Sequence, residues 1–285
     1  MSASAKRFDR VALMAAPAVL LLVALFLAPF ANGMKLSFAP KQGDALANYR
    51  AFFSDPFLYG TIATTLRLAL PVTALNLIVS IPVAMRVRRM RNPRWLTTIL
   101  VLPITLGVVL IAQGLLTYLG PRGWLNRALK TLGLTAHPVA LVHNYWGVFL
   151  SLFIAGFPFT FLLTLSHVTG LDPAIEQAAM TLGANARQRF WRVILPLMAP
   201  GLATAFCLSF VQAFSVFPSA VLLGAPAGPT RVISIAAYQA AFENYDYSMA
   251  STIAMIMGAV QLAVIVAVTA LRGLAYSGPT SGGKG

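Results

Sequence analysis

The sequence predicts an all-α polytopic membrane protein with six transmembrane helices. Three observations carry that prediction. The 285 residues are 58% hydrophobic and only 10% charged, whereas a soluble domain carries about 25% charged residues. Six long runs are free or nearly free of charge. The cations gather in short clusters between those runs, which separates the net charge of +14 from the continuous basic face of a nucleic-acid binder. Nucleic acid is therefore not an expected partner, whereas membrane lipid is. The single cysteine, Cys207, lies inside an apolar run and excludes an intrachain disulfide and a cysteine-cluster metal site. No metal or other cofactor is expected.

The runs cover residues 11–31, 60–85, 96–119, 145–168, 197–223 and 247–271. Each reaches the length of about 20 residues that a helix needs to span a bilayer. Helices are expected because every backbone N–H and C=O in lipid must find its partner within the chain. The first run follows Lys6, Arg7 and Arg10, as a signal peptide would. It exceeds the usual apolar core of about 7–15 residues in such a peptide, so it reads as a retained anchor. With the N-terminus inside, the inner segments hold 13 of the 21 Lys and Arg, notably Arg86, Arg88, Arg89, Arg91 and Arg94 in one cluster, and the outer segments hold seven. That asymmetry places both termini in the cytoplasm. The expected organisation is a cytoplasmic N-terminal segment (1–10), one transmembrane domain (11–271) and a flexible cytoplasmic tail (272–285).

A polar segment interrupts the apolar pattern between the fourth and fifth runs. Asp172-Pro173 is a helix start, with an N-cap side chain followed by proline at the first helical position. Glu176 falls near that start, where the helix dipole favours an anion. Gly183 suits the left-handed residue that ends such a helix. The segment 173–182 therefore reads as a short helix at the cytoplasmic surface. A second start at Asn185 leads through Arg187, Arg189 and Arg192 to Pro196, where the fifth span is expected to begin.

This segment resembles the EAA loop of permease subunits of binding-protein-dependent ABC importers of the type I fold. The family pattern reads E-A-A, three residues, G, nine residues, I-x-L-P. Here it is Gln177-Ala178-Ala179, then Gly183, then Val193-Ile194-Leu195-Pro196. Gln177 departs from the family's glutamate and Val193 from its isoleucine, while an acid stands one residue earlier at Glu176. The resemblance extends to six spans, cytoplasmic termini and the placement of this loop, about 169–195, between spans four and five. The stretch "VFPSAVLLGAPAGPTRVISIAAYQAAFENYDYSMAS", residues 216–251, is similar to the spermidine/putrescine-type branch.

The resemblance implies a coupling helix seated in a cleft on a cytoplasmic ATP-binding subunit. Glu176, Gln177, Ala178, Ala179 and Gly183 would carry that contact, the small residues letting two backbones approach closely. It further implies two ATP-binding subunits, a second permease subunit that is a related but different chain, and an extracytoplasmic solute-binding protein. The setting would be a bacterial inner membrane. Transport would proceed by ATP-driven alternating access, with a polyamine or similar cationic amine as the first candidate solute.

Other residues are weighed for the path itself. Arg67 is the sole cation within a run, and it either snorkels to the outer interface or lines the path. Asn76, Gln113, Ser209, Gln212, Ser215 and Gln261 are polar residues within runs, serving as interhelical glue or as path lining. Ser209, Gln212 and Ser215 recur every third residue and so fan over one side of the fifth helix, which favours the path for them as a group. Ala250, Ala254 and Gly258 form a small-residue face suited to close packing. The outer acids Asp44, Asp55, Glu243 and Asp246 read as isolated and solvated, or as points for a basic docking partner.

Three further features argue against other classes. Gly278, Gly283 and Lys284 echo a phosphate loop, but Gly285 stands where Ser or Thr is needed and the motif lacks its strand and helix, so no ATPase is expected here. His137, His143 and His167 have no carboxylate or nucleophile at catalytic spacing, so no enzyme is expected. All seven Asp and Glu lie outside the runs, which disfavours an ion-gradient-driven secondary transporter. A non-transporting scaffold would not need the capped small-residue helix.

Overall fold

A computed structural model describes residues 5–135 and 137–275. The described residues are helical throughout their regular structure, and six helices are long and apolar enough to cross a membrane. The helices are α1 (Ala5–Ser37), α2 (Ala47–Ser54), α3 (Pro56–Arg88), α4 (Arg94–Leu119), α5 (Trp124–Thr131), α6 (Tyr145–Thr169), α7 (Pro173–Thr181), α8 (Ala186–Arg189), α9 (Leu195–Phe214), α10 (Pro218–Leu223), α11 (Ile233–Tyr238) and α12 (Tyr247–Ala275). The six expected runs fall on α1, α3, α4, α6, α9 and α12. The tail motif at 278–285 lies outside the described residues, and α12 continues past Leu271 to Ala275.

The fifth run differs from its expected bounds at both ends. Its span starts at Ala186, because a π-helical turn at Phe190–Ile194 joins α8 to α9 without a break. The wider turn gives the Pro196 ring room against the preceding carbonyls, where a regular α-turn would clash. At the other end the helix stops at Phe214, and residues 218–223 form the separate α10 behind Pro218. The third run also bends: Gly107, at φ 71° and ψ 156°, leaves helical geometry inside α4, a conformation open to glycine because it lacks a Cβ.

The chain divides into two compact units, residues 1–59 with 236–257, and residues 60–235 with 258–285. In the first unit, hydroxyls hold α12 to the end of α1. Ser248 donates to the Leu36 carbonyl at 3.0 Å and Thr252 to the Ser37 carbonyl at 3.1 Å. Asn48 of α2 donates to Ser248 at 2.7 Å. The buried face of α12 is thus Ser248, Thr252, Ile253 and Ile256. The expected small-residue packing face is corrected accordingly: Ala254 and Gly258 are exposed, and a Cβ at Gly258 meets nothing within 4 Å. Two of the acids expected in outer segments prove paired, Asp44 with Arg50 at 3.1 Å and Asp246 with Lys41 at 3.6 Å. Asp55 accepts from the Phe57 N–H at the start of α3.

In the second unit α6 is the hub. Ala84 and Val87 of α3, Phe161 and Val168 of α6, and Met198 and Leu202 of α9 form one buried cluster. Buried hydroxyl pairs accompany it: Ser80 with Thr164 at 2.8 Å, Thr160 with Ser209 at 2.8 Å, and Ser151 with Ser219 at 2.9 Å. Beyond the end of α4, buried Asn126 of α5 donates to the Gly120 and Val139 carbonyls and accepts from the Val139 N–H, tying down the loop after α5.

The α6–α9 crossing depends on Gly201, where a Cβ would lie 2.4 Å from Cγ of His167. We expect Gly201→Leu to lower stability by about 1–3 kcal/mol through overpacking. Gly258→Leu should leave the fold unchanged or slightly firmer, since leucine favours helix over glycine by roughly 0.5–1 kcal/mol. Thermal unfolding of both variants in detergent checks this; equal midpoints would contradict the crossing.

Candidate functional site

The polar segment folds as its residues dictate. Asp172 accepts from the Ala174 N–H at 2.8 Å, with Pro173 as the first residue of α7. The helix closes at Gly183, at φ 80°, with two reverse bonds: Gly183 N–H to the Met180 carbonyl and Ala184 N–H to the Ala179 carbonyl, both 3.0 Å. That pair is the Schellman arrangement, which satisfies the last helical carbonyls and calls for a residue tolerant of positive φ. Asn185 then opens α8 with a reciprocal capping box to Gln188, both bonds 2.9 Å.

The five residues assigned to coupling do not share one face. Gln177, Ala178 and Gly183 are exposed, whereas Ala179 is buried and Glu176 turns inward. Glu176 Oε1 accepts from Arg89 Nη2 at 2.5 Å and lies 3.9 Å from Arg189 Nε. One residue earlier, Arg88 Nη2 donates to the Leu171 carbonyl at 2.8 Å. Two consecutive arginines at the end of α3 therefore hold both the approach to α7 and its first turn. The sequence reading overlooked the outer surface of the segment, where Ile175, Met180 and Leu182 are exposed, Leu182 to 87%. Its signal was apolar residues at solvent-facing positions of a charged loop.

A second feature lies within the helices. Asn76 of α3, Gly156 and Thr160 of α6, Ser209 and Gln212 of α9, and Ser215 just beyond it line a cavity of about 600 Å³ including its open mouth. Its walls are otherwise apolar, with Val108, Leu152, Phe217 and Pro218. The cavity sits where α9 breaks before Pro218, so the break that the sequence concealed shapes it. Asn76 is 2% exposed and its Oδ1 has no hydrogen-bond partner. Gln261 Nε2 donates to Ser215 Oγ at 3.0 Å. The fan of Ser209, Gln212 and Ser215 thus lines one cavity, and Asn76 joins it. Arg67 and Gln113 do not: both side chains are exposed and neither borders the cavity.

The ion pairs predict asymmetric mutational effects. Glu176→Gln leaves Arg189 partly buried without its carboxylate, so the loss should be about 1–2 kcal/mol, between the values for exposed and fully buried pairs. Gln177→Ala removes only an exposed amide and should change stability by less than about 0.5 kcal/mol. Thermal unfolding of the purified chain reads both; a Gln177 effect as large as that of Glu176 would contradict the inward placement.

Sequence and fold comparisons identify relatives of this chain. Residues 76–275 match the family described as binding-protein-dependent transport system inner membrane component. A probable sulfate transport system permease protein of Prototheca wickerhamii is 30% identical over 74% of this chain and 82% of its own length. The spermidine/putrescine transport system permease protein PotB of Haemophilus influenzae is 30% identical over 63% of each chain. The fold matches a chain in the crystal structure of a bacterial alginate ABC transporter in complex with an alginate pentasaccharide-bound periplasmic protein, with TM-score 0.80 at 22% identity, covering 96% of this chain and 98% of that one. The chain belongs to the family of inner membrane components of binding-protein-dependent transport systems.

Proposed function

We propose that the chain forms one half of the path by which a small polar solute enters the cell, working as a permease subunit of an ABC importer. The assembly would contain two ATP-binding subunits, a second and related permease chain, and an extracytoplasmic solute-binding protein. Both termini and α7 would be cytoplasmic. The observation that carries this reading is the outer surface of α7. A short helix capped at both ends presents Ile175, Met180 and Leu182 to solvent beside exposed Gln177 and Ala178, and an apolar surface fixed so firmly on a polar loop calls for a partner.

In this reading the ATP-binding pair closes on ATP and draws the α7 helices together. The ligand-driven change rests on differential stability of two states rather than on chemistry in this chain. Asn76, Ser209, Gln212 and Ser215 would line the path. The resemblance of residues 216–251 makes a polyamine-type amine the first candidate solute. The cavity offers amide and hydroxyl acceptors but no carboxylate, so recognition of the full charge of such a solute would fall to the binding protein. Uptake driven by the binding protein encoded beside this chain, competed with putrescine and with sulfate, tests the solute: competition by sulfate and not by putrescine would overturn the amine assignment.

Burying a leucine is worth about 1.5–3 kcal/mol, so Leu182→Asp should weaken attachment of the ATP-binding subunits by roughly 10–100-fold. Co-purification and solute-stimulated ATP hydrolysis in reconstituted vesicles measure it. Wild-type attachment and stimulation in this variant would remove α7 from the contact.

Orientation has its own test, in a Cys207→Ala background. Leu132→Cys should react with a membrane-impermeant thiol reagent in intact cells, and Ala186→Cys should not. The reverse pattern would invert the topology.

A further inference from the structure

The C-terminal end of α3 carries more positive charge than its partners offset. Arg86, Arg89 and Arg189 border one cleft of about 810 Å³ including its open mouth, together with a single acid, Glu176. Glu176 serves Arg89 and, more distantly, Arg189. Arg189 Nε is buried and has no hydrogen-bond partner. Arg86 forms no ion pair among the described residues. Three guanidinium groups against one carboxylate leave the cleft two positive charges in excess, and its remaining walls, Ile81, Pro82, Met85, Ala186, Phe190 and Ile194, supply no anion.

The cleft does not open onto a polar surface alone. The exposed residues of α3 between Arg67 and Arg86 are Pro71, Leu75, Ile78 and Pro82. Their spacing of three and four places them on one face of the helix. Ile78 is 64% exposed. This apolar stripe has an arginine at each end. At 1.5 Å per residue, Arg67 and Arg86 stand about 28 Å apart along the axis, close to the roughly 30 Å hydrocarbon thickness of a bilayer. The stripe therefore has the length and polarity of a surface in contact with lipid. With that length in lipid, Arg67 and Arg86 would each stand near an interface.

We infer that the cleft of Arg86, Arg89 and Arg189 binds the phosphate of an anionic phospholipid, whose acyl chain runs along Pro82, Ile78 and Leu75. The phosphate supplies acceptors for Arg86 and for the buried Nε of Arg189, and its charge offsets the excess. Guanidinium groups hold phosphate oxygens well because their donors form a planar fork. Basic pockets between spans on the cytoplasmic side are suited to lipid headgroups for the same reason. A free phosphate would satisfy the arginines alone and leave the apolar stripe unexplained. The site adjoins α7, so the lipid would sit beside the surface proposed to meet the ATP-binding subunits. The inference rests on the cytoplasmic placement of α7.

The test uses the complete transporter in detergent, titrated with phosphatidylglycerol and read by native mass spectrometry. Wild type should retain phosphatidylglycerol in preference to phosphatidylcholine. Arg86→Gln should weaken retention about fivefold and Arg86→Gln/Arg189→Gln further, at roughly 1 kcal/mol per cation near a membrane surface. Arg86→Lys keeps the charge and should retain most of the affinity, which separates loss of the site from loss of fold. Unchanged retention in the double variant would overturn the proposal. Displacement of the lipid by millimolar inorganic phosphate would assign the arginines to a free anion instead. Cross-linking of Ile78→Cys to the second permease chain would assign the stripe to a subunit contact. Solute uptake in phosphatidylcholine vesicles reads the permease function separately, so either can fail while the other stands.

Discussion

Three hydroxyls of α6, spread over two sides of the helix, carry much of the polar bonding of the second unit. Ser151, Thr160 and Thr164 each meet a hydroxyl from a different element: Ser219 of α10, Ser209 of α9 and Ser80 of α3. A hydroxyl in hydrocarbon has no water to turn to, so each such group is satisfied only if the helices stand in one register. Contacts of this kind average about 0.6 kcal/mol in membrane proteins, a modest strength. Their value lies in specificity, because the surrounding Leu, Val and Phe surfaces would pack almost as well after a shift of one turn. The same register aims Asn76, Ser209 and Gln212 into one cavity. Asn76 is the member left with an unpaired oxygen.

The spans and the caps were legible in the sequence, and the reason is physical. Six apolar runs leave no alternative to helices in lipid, and Asp172-Pro173, Gly183 and Asn185 act within one or two turns of themselves. What stayed hidden depends on contacts across the fold. Hydropathy does not distinguish α9 from α10, since both are apolar; the break between them shows only where the backbone turns at Ser215 and Pro218. Nor did spacing disclose that Glu176 faces inward, because its partner Arg89 is 87 residues away in sequence. The small residues of α12 misled for a related reason. Small-xxx-small spacing allows close packing, yet the choice of buried face went to Ser248 and Thr252, whose hydroxyls find carbonyls at the end of α1.

The inward turn of Glu176 also bears on the departure from the family motif. The family's glutamate at the first motif position is absent here, and Gln177 stands there on the exposed side of α7. The charge at 176 has a structural task, holding α7 to the end of α3. The surface left for a partner is mainly apolar and amide in character, with Leu182 at its edge. Contact with an ATP-binding subunit in this chain would thus depend on shape and burial, while electrostatics secures the helix from behind.

That arrangement determines how movement at α7 could reach the cavity. At its start α7 is held by Arg88 and Arg89, which continue directly from α3. At its end the Schellman turn and the capping box lead into α8, and the π-helical turn carries α8 into α9 without interruption. α3 bears Asn76, while α9 bears Ser209 and Gln212 with Ser215 as its C-cap, so the helix bonded to α7 and the helix that follows it both contribute to the cavity lining. Helices are stiff along their axes, whereas the loops at Gly170 and Ala184 are short. A displacement of α7 would therefore be passed into both walls rather than absorbed between them. The weak point is the π-helical turn, where the helix is wound more loosely and the backbone bonds can change partner. Pro196 lies just beyond it and removes a further N–H from the ladder. In the proposed transport cycle this is where α9 would bend, so that one push on α7 would change the shape of the cavity instead of translating it whole.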